Sequence, residues 1–152
     1  MPGLGLLSSA PPISGYAVSA AAVMVNGNTI FTVANGPIII QALVSLCVTS
    51  NNGTASTLQY SITPTVGAGA QTISAASASL ANAAAGASVT LAGTALSTAA
   101  LLNANGPNLI ANPGTIFCPA GTITMVIGTG STTGTWRHYI LYTALANGVT
   151  VS

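Results

Sequence analysis

Between Ile38 and Val48 an apolar side chain falls at every second position: Ile38, Ile40, Ala42, Val44, Leu46 and Val48. A period of two belongs to a β-strand, whose successive side chains point to opposite faces. Ile39, Leu43 and Cys47 on the intervening positions are apolar too. The strand is therefore expected to be covered on both sides. Leu58, Tyr60 and Ile62 alternate with Gln59, Ser61 and Thr63, which predicts a strand with an inward and an outward face. These two segments commit the chain to sheets.

The rest of the chain repeats the pattern in shorter pieces. "YAVSAAAVMV" (16–25) runs into "NGN" (26–28), a hairpin signal, and "TIFTV" (29–33) precedes "ANGP" (34–37). "NNG" (51–53) turns the chain. Residues 66–107 are low in complexity, rich in Ala, Ser and Gly. Within them "ASVTLAGT" (87–94) reads as a strand. "TALSTAALLNANGP" (94–107) reads as one short helix, capped by Thr94, with Leu96, Ala100 and Leu101 inward and Gly106-Pro107 at its end. The last third returns to strands at 115–120, 121–128 and 132–145, and "NG" (147–148) bends the chain into "VTVS". Some eight or nine short strands at about 8–12-residue spacing predict an all-β, antiparallel β-sandwich of jelly-roll type. "ANGP" recurs at 104–107 and is read as a repeated turn. Residues 1–15, "MPGLGLLSSAPPISG", are Gly, Pro and Ser rich and read as an extended N-terminal arm, leaving 16–152 as a single domain. The arm is apolar, with Leu4, Leu6, Leu7 and Ile13, and is expected to lie on a neighbour.

Charge is the second constraint. The 152 residues hold one Lys or Arg, no Asp or Glu, and one His, so 1% of side chains are charged against about 25% in ordinary domains. Without repulsion between copies such a chain associates readily. Permanent assembly is the first expectation, through contacts indifferent to salt and pH.

The same absence excludes chemistry. A chain with no carboxylate side chain cannot build a Ser–His–acid triad, a paired-carboxylate hydrolase or a calcium site. Cys47, Cys118 and His138 come from separate strands and lack the short ligand spacing of zinc sites. "GAGAQ" and "GTGSTTG" lack the lysine of a phosphate loop. One arginine cannot carry nucleic-acid binding. No cofactor and no enzymatic activity are expected. The mean hydropathy is +0.72, yet no apolar run reaches the roughly 20 residues a spanning helix needs, and no membrane role is expected. "MPGLGLLSSAPP" has no basic start or long apolar run, so export through a leader is not expected either. The cysteines are read as two buried thiols, with a disulfide left open should their strands adjoin.

In "TWRHYILYT" (135–143) the only tryptophan, the only charged side chain and the only histidine stand side by side. Alternation puts Trp136, His138, Ile140 and Tyr142 on one face and Arg137, Tyr139 and Leu141 on the other. Trp136 and Ile140 then belong to the core, and His138 is a neutral histidine with a hydrogen bond. Arg137 snorkels along Tyr139 to water or meets an anion, either the carboxylate of Ser152 or one on a partner. The candidate interface residues are Leu4, Leu6, Leu7, Ile13, Trp136, Arg137 and Tyr139.

"TIFTVANGPIIIQALVSLCVTS", "LQYSITPTVGA" and "CPAGTITMVIGTGSTTGTWRHYILYTAL" together resemble small virion structural proteins of tailed bacteriophages, of the head-decoration or cement type. The shared plan is a strand, an "NGP" turn, a long apolar strand, a "TPTVG" turn, an Ala/Gly-rich middle and a "PAGTI" hairpin before a final aromatic strand. It covers perhaps two-thirds of the chain. The resemblance implies a β-rich homotrimer made in the host cytoplasm and placed on the capsid surface, where its partner is the major capsid protein. A tail or fibre component is the alternative within the virion. A carbohydrate-binding module is the alternative outside that class, with Trp136 and Tyr139 or Tyr142 as its hint.

Overall fold

The computed structural model describes residues 13–67, 69–91, 96, 98–106 and 116–152. Among the described residues twelve strands follow in order: β1 Ile13–Val18, β2 Ala22–Val25, β3 Thr29–Ala34, β4 Ile38–Cys47, β5 Leu58–Pro64, β6 Gln71–Thr72, β7 Ser88–Thr90, β8 Leu101–Asn103, β9 Ile116–Cys118, β10 Gly121–Ile127, β11 Ser131–Ala144 and β12 Thr150–Val151. They form two antiparallel sheets packed face to face. Sheet A runs β1-β11-β4-β7-β8, with β2 also on β11 and β9 also on β4; sheet B runs β12-β3-β10-β5-β6.

The chain changes sheet at most of its turns. It passes from β2 in sheet A to β3 in B, to β4 in A and to β5 in B. It later passes from β6 to β7, from β9 to β10, from β10 to β11 and from β11 to β12. Reading β1/β2-β11-β4-β7 against β3-β10-β5-β6 gives the double Greek-key order of a jelly roll. The "NGN" signal is therefore a corner and not a hairpin: β2 pairs with β11 and β3 with β10. Gly27 takes a positive φ of 84° there, and the Asn28 N–H closes the turn on the Val25 carbonyl at 3.1 Å. "PAGTI" is likewise a corner, between β9 and β10.

Two further expectations need correction. The helix proposed for 94–107 is absent among the described residues. Leu101–Asn103 is strand β8, paired to β7 in the register Thr90↔Leu101. Ala100 is buried but Leu101 points out. With Ser, Thr and Asn interleaved among the alanines and no ion pairs available, propensity yields to a sheet edge that offers hydrogen bonds. "YAVSAAAVMV" is two strands, broken at Ser19–Ala21, each pairing with a different stretch of β11. Of the arm proposed for 1–15, residues 13–15 belong to β1 and pair with Ala144, Thr143 and Tyr142; Leu4, Leu6 and Leu7 lie outside the described residues.

β4 does not keep one face throughout. Opposite it, Leu141 pairs with Ala42 and Tyr142 with Ile40, so Gln41 is an extra, exposed residue. This β-bulge reverses the alternation. Ile38 and Ile40 point inward before it, and Leu43, Ser45 and Cys47 after it, while Ala42, Val44 and Leu46 turn outward. Trp136, Tyr60, Phe31, Met24, Ile38, Leu43, Leu58, Ile123 and Ile140 fill the space between the sheets, all under 2% exposed. Cys47 and Cys118 are free and buried. Cys118 faces Ile38 at one end of β4 and Cys47 closes the other, about 30 Å away by strand rise, so they cannot pair within the chain.

Asn51 joins one end of the sandwich. Its Nδ2 donates to the Leu80 carbonyl at 3.0 Å, and its Oδ1 accepts from the Gly134 N–H at 2.8 Å and from Trp136 Nε1 at 3.3 Å. Gly134 must be glycine here, because a Cβ would collide with the Thr49 carbonyl and with Asn51 Oδ1. Asn51→Leu strands two buried donors, the Gly134 N–H and Trp136 Nε1, each costing about 1–3 kcal/mol, and leaves the Leu80 carbonyl with the Ala83 N–H alone. The expected result is a loss of roughly 3 kcal/mol or more in urea unfolding, with Trp136 fluorescence reporting the transition.

Candidate functional interface

β11 carries the residues singled out in the sequence, and its two faces lead to different environments. Inward, Trp136, His138 and Ile140 are 0%, 4% and 1% exposed. Trp136 is thus a core residue and not an interface residue, and the aromatic hint of a sugar site goes with it. Outward, Arg137 and Tyr139 are half-buried and Leu141 is exposed.

His138 lies in a chain of hydrogen bonds that crosses from sheet A to sheet B. Its Nδ1 is 2.7 Å from Ser45 Oγ, Ser45 Oγ is 2.8 Å from the Tyr60 hydroxyl, and that hydroxyl donates to the Val89 carbonyl at 3.2 Å. Tyr60 has one proton, which goes to Val89. Ser45 must then donate to Tyr60, and His138 must donate from Nδ1 to Ser45. The imidazole is neutral, with its lone pair on Nε2. Burial lowers the His138 pKa to about 4 and pushes the Tyr60 phenol well up. Ser45 and His138 have the spacing of a nucleophile and its base. Ser45, however, is fully buried and accepts from the histidine instead of donating to it. Sequence inspection missed Ser45 because a lone serine in an apolar strand carries no signal until its cross-strand partner is known. Burial also holds the Cys47 thiol above its ordinary pKa and raises Cys118 to about 11. Both stay protonated and unreactive at neutral pH. Among the described residues no three metal-ligating side chains come together.

The outer face of sheet A is the unusual surface. One row crosses five strands, Val18–Tyr139–Val44–Thr90–Leu101, and flanking rows hold Tyr16–Leu141–Ala42 and Arg137–Leu46–Ser88–Asn103; Ala42, Ser88 and Thr90 within these rows are buried. Tyr16 is 79% exposed, and Val18, Val23, Leu101 and Leu141 each exceed 40%. Arg137 is the single charge on this face, and its guanidinium has no hydrogen-bond or ionic partner among the described residues. Ser152 cannot supply one within the chain, because its backbone pairs with Thr32 in the other sheet.

The outer face of sheet B is the opposite case. Thr32, Thr122 and Thr63 form one row, and Thr29, Thr124, Ser61 and Thr72 another. Val126 is the one large exposed apolar side chain on its described strands. An open, uncharged cleft of about 600 Å³ sits at one end, lined by Thr32, Thr63, Pro64, Val66 and Thr122 among others. Comparison with known proteins found no matching family model, no matching curated protein and no matching solved structure.

His138 also sets the acid limit of stability. Its folded pKa of about 4 lies below its ordinary 6.5, so the unfolded chain binds the proton more tightly. Stability is full above pH 6.5, falls as pH drops towards 4, and levels off below, losing about 3 kcal/mol in all. No Asp or Glu side chain adds to this curve. Urea midpoints measured from pH 8 to pH 3 should trace this single step, and His138→Gln should flatten it.

Proposed function

We propose that this chain is a virion structural protein of the capsid decoration, or cement, type: a non-catalytic homotrimer that sits on the capsid surface and clamps neighbouring major capsid subunits. The observation that carries this reading is the outer face of sheet A, an exposed apolar surface on a chain with a single charged side chain. Soluble monomers rarely leave so wide an apolar patch open to water. A subunit gripped on several sides by such contacts needs no ion pairs, and its hold on a shell is multiplied by the number of copies engaged. The apolar N-terminal segment with Leu4, Leu6 and Leu7 is the proposed contact with the shell. The resemblance of the long apolar strand, the "TPTVG" turn and the final aromatic strand to phage decoration proteins supports the same class.

The test is to image particles from infected cells after labelling this chain. Knobs at the three-fold positions of heads are the expected result. Heads made without the chain should release DNA at a lower temperature than complete ones, and a chain lacking residues 1–12 should fail to bind undecorated heads. Label confined to tails or fibres would replace this reading with the alternative one.

A further inference from the structure

We infer that the outer face of sheet A is the surface through which copies of this chain pack on one another. The inference rests on the assembly reading above and names the partner at that face as a second copy.

The first argument is extent. At about 4.8 Å between strands and about 3.3 Å per residue, the strands of sheet A, from the 14 residues of β11 and 10 of β4 down to three each in β7, β8 and β9, cover roughly 700 Å². A stable interface of standard size takes about 800 Å² from each partner. The face approaches that size, and since Ala42, Ser88 and Thr90 within it are already covered, residues beyond these rows must complete the contact.

The second argument is charge. A partner of ordinary composition would present carboxylates and ammonium groups to a surface that has one cation and no anion to answer them. Burying those groups unpaired is costly. A second copy brings no acidic side chain and, apart from its own Arg137, no charge, so only the two Arg137 guanidiniums need access to water. Arg137 does not obstruct this contact. It lies on β11, one strand away from the central strand β4, beside the corner between β1 and β2. From there its long side chain can reach water at the rim.

The third argument is contrast within the molecule. Sheet B covers the same core from the other side and presents threonine and serine in its rows. Both faces are built from the same strand-forming residue types, yet Tyr16, Val18, Tyr139, Leu141 and Leu101 gather on one of them. The edges of sheet B are strands of two residues each, β6 and β12, and offer little backbone for pairing. The apolar face of sheet A is the surface with most to gain from cover.

The experiment is analytical ultracentrifugation of the full chain over a range of concentrations and salt. Wild type should sediment at two or three times 14.7 kDa, with no change on adding salt. Leu141→Lys and Tyr16→Lys change side chains already exposed, so the fold should survive; the near-ultraviolet signal of buried Trp136 checks it. Each should weaken association at least about tenfold, because a charge is placed where no counter-charge exists. Val126→Lys, on the outer face of sheet B, should leave association unchanged. A wild-type chain that stays at 14.7 kDa throughout overturns the inference. So does dissociation by Val126→Lys with association intact in both sheet A variants. Association that persists in a chain lacking residues 1–12 upholds this inference, and if that chain still binds undecorated heads the shell-contact reading fails while this inference stands.

Discussion

A chain without carboxylates must satisfy its buried polar groups with neutral hydrogen bonds, and the rest of this fold is arranged around that requirement. The relay from His138 through Ser45 and Tyr60 to the Val89 carbonyl uses every proton it has in one direction. It ties β11 and β4 in one sheet to β5 in the other. Asn51 does the same at the end of the sandwich, serving two donors and one acceptor at once. In an ordinary protein such places often hold ion pairs, whose strength depends on desolvation and salt. Here amide, hydroxyl and imidazole groups hold the layers in register, and their geometry replaces charge as the source of specificity.

Much of this was legible in the sequence because a period of two is a local signal. β5, β10 and β11 fall where alternation places them, and the inward set of Trp136, His138 and Ile140 is the one the pattern predicts. The departures share a physical cause. Gln41 reverses the faces of β4, and a bulge is decided by the neighbouring strand's register, which no local period reports. The turns at "NGN" and "PAGTI" were readable as turns. Whether such a turn closes a hairpin or carries the chain across the sandwich depends on which strands lie beside β2 and β9, and that is a property of the whole fold. The alanine-rich middle was ambiguous from the start, since alanine alone cannot overcome the serine and threonine around it.

The candidate interface was only partly legible. Arg137 and Tyr139 lie on the open face as expected, but Trp136 is the most voluminous side chain in the core. What defines the face is the meeting of Tyr16 and Val18 from β1, Leu101 from β8 and Leu141 from β11, separated by up to 125 positions in the chain. Each residue taken singly is an unremarkable exposed apolar side chain. Strand order alone turns them into a surface.

The extra residue at Gln41 places a demand on this architecture that has little to do with glutamine. With its side chain in water, almost any residue could stand there. Remove the position altogether and one half of β4 must present its aliphatic groups to solvent and its serine relay to the wrong side. What the chain has to preserve between Ile40 and Ala42 is a spacing, so this strand should tolerate substitution at the bulge far better than it tolerates a change in length.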